Sequence, residues 1–489
     1  MKLSELFRSV EILEKNAEND LEITHVTSDS RKVHPHGSVF VCLRGTKFDG
    51  HEWIGEALKN GAEAVVCLDK QPAAIPHIRV ADTRKALPLL LSALYDEPQK
   101  SFKRVIGITG TNGKTTTSFF LKRIFEEAGC KTGLIGTTKY LVGNEEYPVD
   151  PSAALLTTPD PELLYELLNA MRAAGCDTLI MEASSHALYF KKLAGIHFHY
   201  GIFTNLTQDH IDFHKTMKDY MEAKKLLFSI SDTGIFNADD AAFSEISSGV
   251  PARVVRYSAK GNEAEYRAEN PVFDRPEGVS YTLSSEKGSG EIQVGIPGGF
   301  TVYNSLAAVS CALEAGIDPE TVRRAVAGMQ GVKGRIERIP LNKPYSVFID
   351  FAHTPDALSN ILKTLREFTR SRLICLFGCG GDRDRTKRPI MGKIAAEMSD
   401  FVIITSDNSR SEEKADIIRD ILEGLRDTKT PYRVIEDRTE AIHFALTFAE
   451  EGDTVLLAGK GHEEYEIDKT GKHEYSERKI VASFAGAEK

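Results

Sequence analysis

Residues Gly110-Thr111-Asn112-Gly113-Lys114-Thr115 stand between an apolar run, Val105-Ile106-Gly107-Ile108, and a stretch of helical character from Thr116 to Ala128. A strand, a glycine loop, a Lys-Thr pair and a helix in that order make a phosphate cradle. Loop amides and the helix N-terminus face the anion, the lysine brings positive charge to the terminal phosphates, and the threonine hydroxyl can ligate Mg2+. The general pattern carries one more glycine, five positions before Gly113, where this chain has Ile108. The loop is a shortened variant, and it predicts a nucleoside triphosphate held by Gly110, Thr111, Asn112, Gly113, Lys114, Thr115 and Thr116.

Other polar groups follow apolar runs. Leu179-Ile180-Met181 ends in Glu182, and an acid at a strand end beside a phosphate loop can hold Mg2+ directly or through water, although many strands end in an acid without doing so. From Thr204 to His214 two readings stand equally. His210 is a metal- or phosphate-proximal group, or the segment is a capped helix entry started by Asp209 and Asp212 with His214 on the surface. Lys224 abuts the apolar face of Met217 to Phe228, and by spacing alone it is a lysine that reaches out to solvent.

The last third has three polar strand ends: Phe377 to Asp384 with glycines and Arg383, Thr405 to Glu413 with Asp407, Asn408 and Arg410, and Ala458 to Glu463. A carboxylate, an amide and an arginine together suit a zwitterionic amino acid, whose ammonium needs an acceptor and whose carboxylate needs a bidentate donor. Helix capping explains any one of these loops as well. The set points to an ATP-using enzyme with an amino-acid-like co-substrate.

Apolar strands alternating with amphipathic helices must position these groups. Up to about residue 98, strands at Ser38 to Leu43 and Ala64 to Leu68 flank a helix from Trp53 to Asn60, and Asp96-Glu97-Pro98-Gln99-Lys100 makes a break. From Val105 to about Gly334, strands at Leu179 to Met181, Gly201 to Thr204 and Gly234 to Asn237 alternate with helices at Leu163 to Ala174 and Met217 to Phe228, predicting a parallel sheet. Strands at Ser346 to Asp350, Leu373 to Phe377, Phe401 to Thr405 and Thr454 to Ala458 predict a second nucleotide-fold-like domain.

The expected fold is α/β in three domains: residues 1–98, a central phosphate-loop parallel-sheet domain at 99–334, and a Rossmann-like C-terminal domain at 335–489. Its 489 residues suffice for three cores. The net charge is −10 with both signs interspersed, so bulk charge favours neither nucleic acid nor a membrane surface. Charges at Lys2, Glu5 and Arg8 interrupt any signal-like start, and seven scattered cysteines without C-x-x-C spacing read as reduced thiols, so a cytoplasmic location is expected.

Taken in order along the whole chain, these motifs resemble the Mur ligase family, the ATP-dependent amide-forming enzymes of peptidoglycan precursor synthesis. The resemblance rests on Asp29-Ser30-Arg31, the phosphate loop, Thr157-Thr158-Pro159, Met181 to His186, Asp209-His210, Ala223-Lys224, Asn304, Gly334-Arg335, Asp350 to Pro355, Gly380 to Asp384 and Gly459 to Glu463. It implies that the first domain holds a UDP-sugar peptide, the central one ATP, and the last the incoming amino acid. Ser30 would meet the uridine end, and Thr157, Thr158 and Ser184 the peptide end. Lys114 and Thr115 would serve the phosphates, Glu182 and His210 the Mg2+, and Asn304, Arg335 and Asp350 the nucleotide. Lys224 matches the lysine that the family carbamylates, which turns a cation into an oxygen-bearing anion able to support Mg2+.

Two departures stand out. Phe190 and Lys192 occupy positions where relatives commonly have glutamine and arginine, which puts the substrate contact at 190 in question and leaves 192 its charge alone. Members that add diaminopimelate read Asp-Asn-Pro-Arg, and this chain reads Asp407-Asn408-Ser409-Arg410, losing proline's fixed φ. Arg410 is retained, and it would grip the distal carboxylate of meso-diaminopimelate and repel the cation of lysine. Arg383, Asp407, Asn408, Gly459 and Glu463 would complete that pocket. The expected reaction joins meso-diaminopimelate to UDP-N-acetylmuramoyl-L-alanyl-D-glutamate in a monomer. A lysine-adding ligase and a non-catalytic ATP-sensing switch are the alternatives. A folate-type polyglutamate ligase lacks a UDP-reading first domain.

Overall fold

Phe348, Cys375, Phe377, Leu456 and Ala458 pack into one apolar core, while their chain neighbours Val347, Ile349, Ile374, Leu376, Val455 and Leu457 pack into another. Successive side chains of a strand point to opposite faces, so these near-continuous apolar runs belong to strands buried on both sides, as in a parallel sheet covered by helices. The computed structural model describes residues 1–45, 48–149, 156–275, 277–329 and 331–486. It forms two compact units, one of Met1–Ser258, Asn262–Glu265 and Ala307–Asp318, the other of Ala259–Gly261, Tyr266–Leu306 and Pro319–Lys489.

In the second unit, parallel strands lie in the spatial order Ser346–Asp350, Thr454–Ala458, Leu373–Phe377, Phe401–Ile404, Tyr432–Val434, and Glu337–Ile339 adds an antiparallel edge. Helices Pro355–Arg366, Lys387–Met398 and Lys414–Leu422 bury their apolar stripes on one face. The opposite face packs against Arg438–Phe448. The last strand inserts between the first two, and in open α/β sheets ligands bind beyond the carboxyl ends of the strands at such a reversal of strand order.

The first unit has a five-stranded sheet in the order Ile12–Lys15, His77–Val80, Ala62–Cys67, Ser38–Val41, His25–Thr27. Its larger sheet runs parallel through Arg253–Ser258, Ser231–Asn237, Phe198–Phe203, Arg104–Thr109, Thr178–Glu182 and Thr132–Ile135. Strand Arg104–Thr109, which feeds the phosphate loop, lies where this order reverses.

The parallel alternation expected as far as Gly334 stops at Ser258. Tyr266–Arg275, Gly278–Ser284 and Gly290–Val294 are antiparallel. Val279, Tyr281 and Leu283 point inward while Thr282 is exposed, the period-two pattern of a sheet with one wet face. The few residues between these strands also leave no length for a crossover helix. All seven cysteines are free, and all but the half-buried Cys130 are buried.

Candidate active site

Strand register gathers the first set of residues. Ile108 pairs with Glu182 and Thr109 with Phe203, so the segments that follow all three strands emerge level with one another. Gly110 has φ +149°, and a Cβ there would collide with Thr204 Oγ1. Thr204 Oγ1 donates to the Asn112 carbonyl at 2.7 Å. The carbonyl and side-chain oxygens of Asn205 accept the amides of Thr111 and Asn112, each at 2.9 Å. The loop is therefore shaped by the neighbouring strand end. Gly113, at φ +85°, turns the chain into helix Lys114–Glu127, whose first turn carries Thr115 and Thr116. The opening amides of a helix have no intrahelical acceptor and suit an anion.

Two amines converge on one carbonyl. Lys114 Nζ donates to the oxygens of Gly110 and Thr111 at 2.8 and 2.9 Å, and Lys224 Nζ donates to Gly110 at 2.8 Å. Lys224 is 1% exposed and lies 4.2 Å from the centroid of the Tyr220 ring. The solvent-reaching lysine expected from spacing is thus corrected: helix Met217–Lys225 buries Tyr220, Met221 and Ala223 beside it, and the amine finds a carbonyl instead of water. Burial pushes its pKa well below the ordinary lysine value, the Lys114 charge pushes the same way, and Asp209 opposes.

Glu182 is fully buried and accepts from Thr137, at 3.2 Å from the amide and 2.8 Å from the hydroxyl. Thr137 Oγ1 lies 3.0 Å from Thr157 Oγ1. Thr158 Oγ1 donates to the Glu182 carbonyl at 2.7 Å and accepts the Ser184 amide at 3.0 Å. Thr157, Thr158, Glu182 and Ser184 thus form one cluster with Thr137, which sequence reasoning missed; its signal was another polar strand end, after Thr132–Ile135.

His210 opens the short helix Ile211–His214 in a left-handed conformation, so it rather than Asp209 is the entry residue; the Asp212 side chain lies outside the described residues. The His210 ring stands 4.9 Å from that of His186. His214, expected on the surface, is buried with Nε2 2.9 Å from Ser185 Oγ, because the rings of Phe213 and Tyr220 close over it at 4.7 and 5.1 Å. Burial, then the charges of His186, Lys224 and His210, lower its pKa to about 4.

Among the described residues, no three His, Cys, Asp or Glu side chains gather as a ready cation site. Glu182 still fits a divalent ion: among the described residues no basic side chain pairs with its buried carboxylate, and Mg2+ takes few protein ligands, completing its shell with phosphate oxygens and water.

A cleft of about 930 Å3 in the same unit is lined by Ser30, Arg31, Trp53, Asp160 and Lys192 among others, roomy enough for a nucleotide-sized ligand. Ser30 Oγ donates to Glu56 at 3.1 Å, and Lys192 Nζ lies 2.6 Å from Asp160.

The second unit holds the other set. Asp350, nearly buried, accepts the Ile336 amide at 2.8 Å, and burial raises its pKa. Arg335 stacks over Phe351 with 5.4 Å to the centroid, and Asn304 is buried on helix Gly299–Glu314. At the strand ends, Arg410 Nη1 donates to the Gly381 carbonyl at 2.8 Å, and Gly380 lies between Arg410 and the exposed Arg383. Asn408 Nδ2 donates to Glu463 at 2.9 Å, and its Oδ1 accepts from Lys460 Nζ at 3.0 Å. Lys460 is fully buried and lies 3.4 Å from Asp407, whose pKa it helps to lower against burial; burial and Asp407 raise that of Glu463. Gly459, at φ +117°, leaves room for the Asp407 carboxylate.

The structure therefore brings Asp407, Asn408, Arg410, Gly459 and Glu463 together at neighbouring strand ends, with Arg383 beside Gly380. Sequence reasoning missed Lys460 and Arg438, the latter donating to the Ser406 and Ala458 carbonyls at 3.0 and 2.8 Å and so tying two strand ends together. Ser409 is buried, and Gly381 packs so closely on it that a Cβ at 381 would strike the Ser409 carbonyl.

Residues 22–95, 108–312 and 334–461 match the family models described as the Mur ligase family catalytic domain, the Mur ligase middle domain, and the Mur ligase glutamate ligase domain. A curated relative from Syntrophomonas wolfei, named UDP-N-acetylmuramoyl-L-alanyl-D-glutamate--2,6-diaminopimelate ligase, is 43% identical over 99% of this chain and 98% of its own. The chain belongs to the Mur ligase family. A Clostridium botulinum relative of the same name is 41% identical over 95% of both chains. Among solved structures, one titled as a UDP-N-acetylmuramoyl-L-alanyl-D-glutamate--2,6-diaminopimelate ligase is 30% identical with a TM-score of 0.72, covering 100% of this Mur ligase and 99% of the other chain. Among the described residues, no helix of this Mur ligase is long and apolar enough to cross a membrane.

Proposed function

We propose that this Mur ligase joins meso-diaminopimelate to the D-glutamyl γ-carboxylate of UDP-N-acetylmuramoyl-L-alanyl-D-glutamate, using ATP, in peptidoglycan precursor synthesis. The observation that carries the reading is its full-length likeness to relatives named for that ligation. Residues 1–98 serve the UDP-sugar, 99–334 ATP and 335–489 the amino acid, in a cytoplasmic monomer.

The γ-carboxylate oxygen attacks the γ-phosphorus of ATP, releasing ADP and leaving an acyl phosphate. The neutral amine of meso-diaminopimelate then attacks the acyl carbon, and the tetrahedral intermediate expels phosphate as the nitrogen gives up its proton. Lys114, beside the loop, spreads negative charge in both steps. Thr115, Glu182, His210 and a carbamylated Lys224 would hold Mg2+, which when bound neutralises charge on the phosphates. Burial favours the neutral form of the Lys224 amine, and a neutral amine adds to CO2, losing a proton to become the carbamate. Ser30, Thr157, Thr158, Ser184 and Lys192 hold the UDP-dipeptide. Asn304, Arg335 and Asp350 contact the nucleotide. Arg383, Asp407, Asn408, Ser409, Arg410, Gly459 and Glu463 receive the amino acid, with two guanidinium groups for its distal carboxylate and the carboxylates for an ammonium.

Competition between meso-diaminopimelate and lysine tests the reading. With UDP-dipeptide and ATP, product mass should correspond to meso-diaminopimelate addition at equal concentrations of the two; a lysine adduct as main product would contradict it.

A further inference from the structure

Arg84 lies in the first turn of helix Thr83–Leu94 and lines the same cleft as Ser30 and Lys192. Its guanidinium carbon stands 4.5 Å from the centroid of the Phe190 ring, and one amino group donates to the Arg44 carbonyl. Arg31, Arg44 and Lys192, which also line the cleft, each face a carboxylate: Asp29 at 2.8 Å, Asp49 at 2.7 Å and Asp160 at 2.6 Å. Among the described residues, none of the ion pairs involves Arg84.

We propose that Arg84, held against Phe190, binds an oxyanion of the nucleotide-linked substrate; this rests on the reading of the cleft as the UDP-dipeptide site. An aromatic face restrains the guanidinium and leaves N–H donors at its edge for a ligand, and Arg84 lines the cleft. A phenyl ring at 190 has no hydrogen bond to offer a substrate, and the ammonium of Lys192 is already paired and lacks a planar fork. Phe190 therefore acts through Arg84, which supplies the fork that position 192 does not. The substrate offers two oxyanions that do not react, its diphosphate and the D-glutamyl α-carboxylate of its dipeptide.

The test uses the full chain and its Arg84→Ala and Arg84→Lys variants, with UDP-dipeptide affinity measured by calorimetry beside steady-state kinetics. Arg84→Ala should weaken UDP-dipeptide binding and raise its KM about tenfold or more, with kcat, the KM for ATP and the thermal midpoint nearly unchanged. Arg84→Lys should recover only part, because the ammonium is not a fork. Weakening of plain UDP by the same factor places the diphosphate at Arg84, and UDP binding unchanged places the carboxylate there. UDP-dipeptide binding within twofold of the parent in both variants overturns the proposal. A parent that binds UDP-dipeptide but forms no amide overturns the ligase reading instead.

Discussion

Lys224 is the side chain on which the proposed carbamate rests. Its position beside Lys114 on the Gly110 carbonyl leaves a buried amine next to a second positive charge, and both effects favour the neutral form. Replacing it with alanine should remove most activity, a loss of about a hundredfold or more if the carbamate supports charge neutralisation at the phosphates. Glutamate, which restores an anionic oxygen, should recover part of it. A carbamate signal from 13C-labelled bicarbonate, present in the parent and absent in Lys224→Ala, checks the modification separately; full activity in both variants would sink the assignment. Spacing along Met217–Lys225 could not reveal this burial, because the partner that covers the lysine is a loop over a hundred residues earlier. Thr137, Lys460 and Arg438 escaped for the same reason: each is polar, and only tertiary packing makes it a partner of Glu182, Asn408 or two strand ends.

At the scale of elements, the phosphate loop was fully legible, since glycine is required where φ is positive and the backbone approaches a neighbour. Gly110→Ala should cost about 2 kcal/mol or more in denaturant unfolding, because it adds strain at φ +149° to a collision with Thr204, and should abolish ATP use. Gly129→Ala, at φ +81° with open space around it, should cost only about 1 kcal/mol. Helix Lys387–Met398 offers a second test. Its buried Arg388 bridges Glu412 and Asp420, each at 2.8 Å, and holds the Glu412 carboxyl down to about 2. A depressed acid contributes stability that is fully present above its unfolded value near 4.5 and lost as pH falls through about 2. Arg388→Met should therefore destabilise the protein by about 3 kcal/mol at pH 7, and the gap to the parent should persist at pH 5 and narrow toward pH 2. A gap independent of pH over that range would contradict the pairing.

For the whole molecule, the two-faced apolar runs disclosed the parallel sheets, and Ser346–Asp350, Leu373–Phe377 and Thr454–Ala458 fall where the pattern put them. The antiparallel strands from Tyr266 to Val294 were hidden, because their half-polar alternation resembles loop composition until the buried face is known. Site residues were legible at strand ends and in glycine turns. The cleft with Arg84 and Phe190 was not, since a helix start and a residue after an apolar turn become neighbours only in the fold. What unites the phosphate loop, the Glu182 cluster and the Arg410 loop is one claim, that ATP activates a carboxylate for attack by an amino acid. Phosphate release from ATP, measured with UDP-dipeptide present and each amino acid added in turn, tests it most directly. The account predicts rapid release with meso-diaminopimelate, matched by amide product, and little without an amino acid. Release at the same rate with no amino acid present would contradict it.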